Sequence, residues 1–372
     1  MPVRLTSFFI AVLSAFFAVT AMPTAAAEIV PSVSARSAVL ISSVDEKILF
    51  EKNAEERLPM ASTTKIMTAV VALENASPNE TVTVPRESVG IEGSSAYLTE
   101  GERFSLSDIL HAVMLASAND AAVAVARHVG GTVENFVSMM NEKAASLGLT
   151  DTSFANPNGL DADGHYTTAL DLARLTAYAL KNESFKTIIS TKKYVCGSRV
   201  FVNHNKLLKT YDGAIGVKTG FTKKSGRCLV SAAERGETTL IAVTLHAPDD
   251  WRDHAALLDF GFSHYKTVTF ANAGDCFYAI PDMTGYGRKV RCVATAKVEK
   301  TITNGGELYY SVECPRYLWG NIENGQEIGR VIVTRSGKTL AEIPLFAEVE
   351  ETEKSSFFGR IIEFFRKIFG NG

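Results

Sequence analysis

Two residue types that can carry out acyl transfer stand three positions apart in the segment LPMASTTKIMTAVVALE, residues 58–74. Ser62 carries a hydroxyl, which is a poor nucleophile at neutral pH unless a neighbouring group takes its proton. Lys65 is a candidate for that group, because residues i and i+3 of a helix share a face. A lysine acts as a base only when burial or a nearby positive charge lowers its pKa. The spacing therefore indicates a serine nucleophile and a lysine base at a helix start.

Two further motifs follow in an order that suits the same chemistry. Ser117 and Asn119 form S-x-N between helical segments, and Lys218, Thr219 and Gly220 form K-T-G on a predicted strand. A positive charge on the strand lysine would lower the pKa of the helix lysine. The N–H groups at a helix start also favour anionic substrate atoms. The three motifs together predict one acyl-transfer site.

Each motif is weak when it is taken alone. Ser190 and Lys193 also match S-x-x-K, and Ser77 and Asn79 also match S-x-N. Ser62 could be an ordinary helix N-cap, the two lysines could be solvated charges, and the S-x-N pair could be a helix kink. The order of the motifs and their placement on a helix, a helix junction and a strand favour a shared site.

The elements that must position these motifs follow from apolar periodicity and turn residues. The sequence predicts a β-hairpin over 38–53, with further strands over 213–222 and 226–247. Helical periodicity covers residues 106–128, with a break near 117–120, then 132–149, 167–180 and 253–266. Because strands lie at both ends of this region and helices lie between them, we expect an antiparallel sheet with a helical subdomain, an α+β arrangement.

The character of the sequence changes near residue 266. Short alternating β-prone runs separated by Gly and Asn turns predict a small all-β domain over 267–350. The preceding residues, 28–266, form the predicted catalytic domain. The remaining residues, 351–372, are predicted to be an acidic tether and a C-terminal helix.

The N-terminal segment has the composition of an export signal. Arg4 precedes an apolar run from Phe8 to Ala21, and small residues ending in Ala25–Ala27 follow. This pattern predicts a signal peptide over 1–27, with the mature chain beginning at Glu28. A retained transmembrane anchor is the alternative, but the apolar run is shorter than the ~20 residues that a spanning helix needs.

The C-terminal segment SSFFGRIIEFFRKIFGNG, residues 355–372, is also unusual. On a helix its Phe and Ile residues fall on one face, and its Arg, Glu and Lys residues occupy the remainder. Such a short, charged helix cannot span a bilayer and is strongly aromatic, so we expect it to lie in the membrane interface. Docking onto its own domain is the alternative.

Composition argues against several function classes. A net charge of −3 and a pI near 6.2 give no support for a nucleic-acid partner. The five cysteines form no C-x-x-C motif, the seven histidines form no H-E-x-x-H motif, and no metal or other cofactor is predicted. An odd number of cysteines leaves at least one unpaired.

The chain resembles low-molecular-mass penicillin-binding proteins, the serine D-alanyl-D-alanine carboxypeptidases of the penicillin-recognising superfamily. That family carries the same three motifs in the same order. The resemblance spans residues 38–347 and includes the strings SSAYLTEGE, NPNGL, GHYTTALDLA and GQEIGRVIVTRSGKTLAEIPL. It implies a β-lactamase/transpeptidase-like domain followed by a small all-β domain.

The resemblance also implies a role for each motif residue. Ser62 corresponds to the family nucleophile and Lys65 to its proton acceptor. Ser117 resembles the hydroxyl that relays a proton towards the leaving group, and Asn119 the amide that holds the substrate's peptide carbonyl. The backbone N–H groups of Ser62 and Phe221 would form the oxyanion hole, aimed at the developing negative charge.

The K-T-G strand would bind the end of the substrate. Lys218 and Thr219 resemble the residues that meet the substrate carboxylate, and Gly220 keeps the strand edge free of a side chain. Arg252, in the string DDWRDH, resembles a family arginine that helps to bind the terminal carboxylate.

The implied substrates are peptidoglycan stem peptides, and the implied inhibitors are β-lactams. Ser62 would attack the penultimate D-alanine carbonyl, and water would then hydrolyse the acyl-enzyme. A class A-type β-lactamase would need an E-x-x-L-N string between Asn119 and Lys218, and none occurs there. An endopeptidase that cuts cross-links and a secreted binding module with a dead site remain the other interpretations. The expected location is the extracytoplasmic face of the cytoplasmic membrane.

Overall fold

The computed structural model of the protein describes residues 30–283, 289–319 and 322–349. The predicted signal peptide and the predicted C-terminal helix both lie outside the described residues. Among the residues that the structure describes, none of the helices has both the length and the apolar character needed to cross a bilayer.

Most of the described helices lie in the first half of the chain, and most of the described strands lie in the second half. The strands are β1 Ser37–Ser42, β2 Ile48–Lys52, β3 Thr81–Thr83, β4 Arg103–Ser105, β5 Lys193–Cys196, β6 Arg199–Val202, β7 Ala214–Thr222, β8 Gly226–Arg235, β9 Thr238–Leu245, β10 Tyr265–Ala271, β11 Cys276–Pro281, β12 Lys289–Val293, β13 Val298–Thr303, β14 Tyr309–Glu313, β15 Glu327–Arg335 and β16 Lys338–Glu348. The α-helices are α1 Lys65–Asn75, α2 Leu106–Leu115, α3 Asn119–Gly130, α4 Val133–Ser146, α5 Ala169–Ala179, α6 Glu183–Ser190, α7 Leu207–Thr210 and α8 Asp250–Ser263. Short 3₁₀ helices cover Ala61–Thr64 and Arg86–Ser88.

A five-stranded antiparallel sheet forms the centre of the first domain, in the order β2-β1-β9-β8-β7. The N-terminal hairpin β1–β2 pairs with β9, which follows the helices in the chain. The predicted antiparallel sheet built from distant segments is therefore confirmed.

Apolar side chains on both faces of β1 place this sheet between two helical layers. Val39 and Ile41 belong to the core that contains α1, α2, α3 and α5, whereas Ala38 and Leu40 pack with Leu257 of α8. This alternation is the period-two pattern of a strand, with both sets buried. The sheet and its two layers hold the K-T-G strand β7, at one edge, against the start of α1.

The helical subdomain is interrupted where the S-x-N motif occurs. Helix α2 begins at a capping box in which Ser105 and Asp108 exchange hydrogen bonds, and it ends at Leu115. Helix α3 begins at Asn119, and Ser117 between them has a left-handed φ of 59°. This break turns the motif towards the sheet.

A second, all-β domain follows α8, as the sequence predicts. Strands β10 and β13 form one antiparallel pair, and the order β11-β12-β16-β15-β14 forms a five-stranded sheet. Buried side chains of Ile280, Val290, Val331 and Leu345 belong to its separate core. The α+β fold with an all-β second domain is confirmed.

Candidate active site

Ser62 lies in the 3₁₀ helix that leads into α1, not inside the α-helix that the periodicity predicts. Residues i and i+3 are eclipsed in a 3₁₀ helix, which has three residues per turn, so Ser62 and Lys65 still share a face. Among the described residues, no side chain caps the start of this 3₁₀ helix or of α1. The structure therefore does not support the interpretation of Ser62 as an ordinary N-cap.

Lys65 is completely buried and connects three parts of the site. Its Nζ lies 2.9 Å from Ser62 Oγ and 2.7 Å from Asn119 Oδ1. The same nitrogen donates a hydrogen bond to the backbone carbonyl of Asn158. Ser62, the S-x-N motif and the NPNGL loop thus meet at one amine.

The surroundings of Lys65 favour its neutral form. Burial is the main cause that moves its pKa well below the ordinary lysine value, and the Lys218 ammonium lowers this pKa further. Asp120 opposes the shift, but it is the last of the three causes. The sequence predicts that the charge of Lys218 lowers the pKa of Lys65, and the structure has this interaction. A lower pKa is what a lysine needs to act as a general base.

Asn119 is held by a loop that approaches it closely. Its backbone N–H donates to Ser94 O at 2.7 Å, and its Nδ2 donates to Glu92 O at 2.6 Å. A Cβ placed on Gly93 would come within 2.7 Å of that amide nitrogen, so a glycine is needed there. The amide is consequently fixed with its oxygen towards Lys65.

The buried carboxylate of Asp120 holds the next part of the same loop. It accepts hydrogen bonds from Ser95 Oγ at 2.6 Å, from Ala96 N at 2.9 Å and from Leu98 N at 3.1 Å. Sequence reasoning missed Asp120, although it directly follows the S-x-N motif at the start of an apolar helix. Asp120 positions one wall of the cleft.

The K-T-G strand places a second buried lysine in the site. Burial lowers the pKa of Lys218 to about 7, and its Nζ donates to Thr219 O at 2.8 Å. A Cβ on Gly220 would lie 3.0 Å from the backbone nitrogen of Ser62, so the strand backbone runs directly past Ser62. The predicted need for glycine at this position agrees with that approach.

A cleft of about 340 Å³ joins the motifs. Ser62, Ser117, Thr219, Gly220 and Phe221 all line it. The Phe221 side chain is 66% exposed and forms part of the rim. The structure therefore brings both hydroxyls and the strand edge to one concave surface, while Lys65, Asn119 and Lys218 support it from the buried side.

Arg252 requires a correction, because the structure does not place it in this cleft. It lies on the outer side of α8, where its side chain is 83% exposed and approaches Asp249 at 4.0 Å. The arginine that lines the cleft within the described residues is Arg227, on β8 beside Phe221. The helix periodicity explains the difference, since Asp250 and Trp251 occupy the side of α8 that faces the cleft.

Arg227 is oriented by its neighbours. Its Nε and its terminal nitrogen both contact Asp250 Oδ1, at 2.9 and 2.8 Å, and its guanidinium lies 5.8 Å from the Trp251 ring. Its side chain remains 44% exposed where it lines the cleft. Sequence reasoning could not select Arg227, because its partners come from a different element.

His165 supports the 3₁₀ helix that contains Ser62 from the buried side. Its Nδ1 accepts from Ala155 N at 3.0 Å, so the hydrogen on Nε2 is directed to Thr64 Oγ1 at 2.8 Å. Burial lowers the pKa of His165 to about 4. This histidine is therefore a neutral structural residue.

The five cysteines are all free thiols in the structure. Within the described part of the chain, no cluster of three or more His, Cys, Asp or Glu side chains has the arrangement of a metal site.

The site and its fold define a class. A serine hydroxyl beside a buried lysine of lowered pKa, an S-x-N motif and a K-T-G strand, all in an α+β domain, are the features of the penicillin-recognising serine acyl-transfer enzymes.

Comparison with known proteins specifies the class further. The model of the family described as D-alanyl-D-alanine carboxypeptidase matches residues 23–249, and that of the penicillin-binding protein 5 C-terminal domain matches residues 265–353. The chain is 33% identical to D-alanyl-D-alanine carboxypeptidase DacF of Bacillus subtilis, over 91% of this chain and 90% of that protein. It is 32% identical to DacC of Escherichia coli, over 90% and 88% of the two chains.

Solved structures agree with the sequence comparisons. Penicillin-binding protein 5 of Haemophilus influenzae superposes with a TM-score of 0.62 at 29% identity, covering 86% of this chain and 98% of that one. The Streptomyces K15 DD-transpeptidase superposes with a TM-score of 0.60 at 33% identity, covering 63% and 98%. The chain therefore belongs to the D-alanyl-D-alanine carboxypeptidase family. It is a serine hydrolase of the penicillin-binding proteins that acts on the cell wall.

Proposed function

We propose that the chain removes the terminal D-alanine of peptidoglycan pentapeptide stems through an acyl-enzyme on Ser62. The observation that carries this proposal is the environment of Lys65. A neutral amine has two hydrogens and one lone pair. The oxygens of Asn119 and Asn158 accept the two hydrogens, so the lone pair is left for the Ser62 hydroxyl at 2.9 Å.

The first half-reaction transfers the acyl group to the enzyme. Ser62 Oγ attacks the carbonyl carbon of the penultimate D-alanine, and its proton passes to Lys65 Nζ. The oxyanion of the tetrahedral intermediate is stabilised by the N–H groups of Ser62 and Phe221. The bond to the terminal D-alanine then breaks, and the leaving nitrogen receives the proton of Lys65 through the Ser117 hydroxyl.

The second half-reaction releases the shortened peptide. Water attacks the ester carbon and gives its proton to Lys65, which returns it to Ser62 Oγ as the ester bond breaks. Asn119 holds the peptide carbonyl of the substrate throughout. Because the same amine acts in both directions, its lowered pKa serves both steps.

The substrate carboxylate is bound by Lys218, Thr219 and Arg227. The first two come from the K-T-G strand, and the third supplies the arginine that the sequence had suggested at Arg252. A guanidinium already held by Asp250 and facing the cleft is suited to a carboxylate, because charge-assisted hydrogen bonds are the stronger ones. The pattern fits a substrate with a free C-terminus.

The enzyme works outside the cytoplasm, as the composition of both chain ends suggests. Residues 1–27 are a cleaved export signal, and residues 28–266 and 267–350 form the catalytic and β-rich domains. Residues 351–372 tether and anchor the protein on the extracytoplasmic face of the membrane through an amphipathic helix. Deletion of residues 357–372 should release the protein from membranes and leave peptide hydrolysis nearly intact.

One assay distinguishes this activity from those of an endopeptidase and a β-lactamase. Purified protein is incubated with a pentapeptide, a cross-linked dimer and a β-lactam, and the release of D-alanine is compared with cleavage of the other two. D-Alanine release from the pentapeptide should dominate. Preferred cleavage of the dimer would indicate an endopeptidase, and rapid turnover of the β-lactam a β-lactamase.

Labelling tests the nucleophile separately. A fluorescent penicillin should acylate the peptide that contains Ser62 and should not label Ser62→Ala. Label on that variant would disprove the assignment of the nucleophile, and absence of label on the wild type would indicate a non-catalytic binding module.

A further inference from the structure

One end of the β-rich domain exposes a group of apolar side chains, Met283, Tyr317 and Trp319, which we call the distal patch. Their exposed fractions are 49%, 46% and 73%. Leu318 N donates to Pro281 O, and Met283 N donates to Leu318 O, both at 3.0 Å. These bonds hold two loops together with Leu318 buried, so the side chains on either side of it face outwards.

The described chain ends beside this patch. The hairpin β11–β12 pairs Pro281 with Lys289, next to Met283, and two residues further along β12 Arg291 pairs with Glu348 near the end of β16. Two strand residues span about 7 Å. The C-terminal tail therefore leaves the domain at the same end as the patch.

The other end of β16 faces the catalytic domain. Arg335, the last residue of β15, donates to Thr303 O at 2.6 Å. Thr303 pairs with Tyr265, the first residue of β10, directly after α8 of the catalytic domain. Because β16 has eleven residues, its two ends are about 33 Å apart. The distal patch thus lies on the side of the β-rich domain away from the active site.

We propose that the distal patch inserts into the interfacial layer of a lipid bilayer, as a second membrane contact beside the C-terminal helix. This inference rests on the proposed anchoring by residues 351–372. Seven residues, 350–356, separate Val349 from the aromatic segment that begins at Phe357, so the chain reaches at most about 28 Å between them. A membrane bound by that segment therefore lies within reach of the end of the domain that carries the patch.

The residue types in the patch fit this partner. Tyr and Trp side chains are enriched where one end of the ring is apolar and the other is wet, as at a membrane surface. Arg316, whose guanidinium lies 5.7 Å from the Tyr317 ring, adds an exposed cation beside lipid headgroups. A glycan could also stack on these rings, but the exit point of the tail favours the membrane.

The chain offers a direct test, because it contains two tryptophans, Trp251 and Trp319. The mature chain from Glu28 is prepared as Trp251→Phe, which leaves Trp319 as the reporter. It is mixed with vesicles of phosphatidylglycerol and phosphatidylethanolamine that carry brominated acyl chains. The Trp319 emission should shift to shorter wavelength and lose at least half of its intensity on binding.

A matched control moves the reporter to the other end of the same sheet. Tyr309 is 59% exposed at the start of β14, where it pairs with Thr334 near the β15–β16 turn. The variant Trp251→Phe/Trp319→Phe/Tyr309→Trp should sediment with the vesicles but keep its unbound emission. The variant Tyr317→Ser/Trp319→Ser should bind the same vesicles about three- to tenfold more weakly than the wild type.

The outcomes separate this inference from the anchor on which it rests. Co-sedimentation with unchanged Trp319 emission would overturn the patch as a membrane contact and leave the C-terminal anchor intact. Absence of co-sedimentation would overturn the anchor, and this inference with it. A change in Trp319 emission with soluble peptidoglycan glycan fragments, and none with vesicles, would assign the patch to a carbohydrate and overturn the membrane contact.

Discussion

Lys65 Nζ lies 2.9 Å from Ser62 Oγ, in a position where both of its hydrogens have carbonyl acceptors on other segments. The distance by itself is compatible with an ammonium that donates to a hydroxyl. Burial and the neighbouring Lys218 favour the neutral amine instead. This relationship makes proton transfer from the serine the main expectation for the enzyme.

Replacing Lys65 should therefore slow acylation strongly without removing the Ser62 hydroxyl. Arginine stays protonated in proteins and cannot act as a base, and methionine keeps the length of the side chain without the amine. We expect Lys65→Arg and Lys65→Met to slow labelling by fluorescent penicillin about 10²–10⁴-fold. Circular dichroism verifies that each variant is folded. Lys193→Arg, in the second S-x-x-K match on β5, is the matched control and should label at the wild-type rate; normal labelling of both Lys65 variants would disprove the base.

The pKa of Lys218 predicts a loss of activity on the alkaline side. This group is charged below its pKa of about 7, and the charge is lost as the pH rises through that value. For a substrate with a free carboxylate, the plot of kcat/KM against pH should have a descending limb near pH 7. The reason is that the pH dependence of kcat/KM follows the ionisation of groups in the free enzyme. Lys218→Arg keeps the charge, so its profile between pH 6 and 9 should lack that limb.

Lys206→Arg is the control for this pH profile, because Lys206 is an exposed lysine that lines the same cleft. Its profile should match the wild type. An unchanged limb in Lys218→Arg would mean that another group titrates there.

Arg227 and Arg252 should differ in their effects on substrate binding. Arg227→Ala removes a cation from the cleft and should raise KM for the pentapeptide about tenfold, as expected for one charge-assisted hydrogen bond of about 1.5 kcal/mol at a partly exposed group. Arg252→Ala removes an exposed side chain on the outer side of α8 and should change KM less than twofold. The measurement is steady-state release of D-alanine. A larger effect from Arg252 would restore the original sequence-based assignment.

Protonation of His165 should destabilise the fold in acid. The pKa of this buried group is about 4 in the folded state and about 6.5 when unfolded, so the unfolded chain binds more protons between these values. Its contribution is complete above pH 6.5 and is lost as the pH falls towards 4, a change of about 3 kcal/mol.

Urea unfolding at pH 7 and pH 4 measures this contribution. His165→Gln should be less stable than the wild type at pH 7 but should lose less stability on acidification. His128→Gln, on the surface beside Glu80, should retain the full dependence. Equal acid sensitivity of the wild type and His165→Gln would assign the effect elsewhere, for example to buried His254.

The sequence by itself determined the motifs, their order and the α+β class. The hairpin 38–53 and the break at Ser117 are local features, and the structure has both of them. They are readable because turn residues and apolar periodicity act between neighbours within a few positions. The 3₁₀ start of α1 was missed, since a 3₁₀ and an α-helical turn share the same apolar pattern over so few residues.

Tertiary structure decided what surrounds those motifs. The contact of Lys65 with the carbonyl of Asn158 joins residues 93 positions apart. Its acceptor is a backbone atom, so the pattern of side chains in the sequence does not predict it. The choice between Arg227 and Arg252 depended on which side of α8 packs against β8. Local spacing predicts which groups are able to react. The burial that lowers the pKa of a lysine, and the direction in which a side chain points, arise only when distant segments pack together.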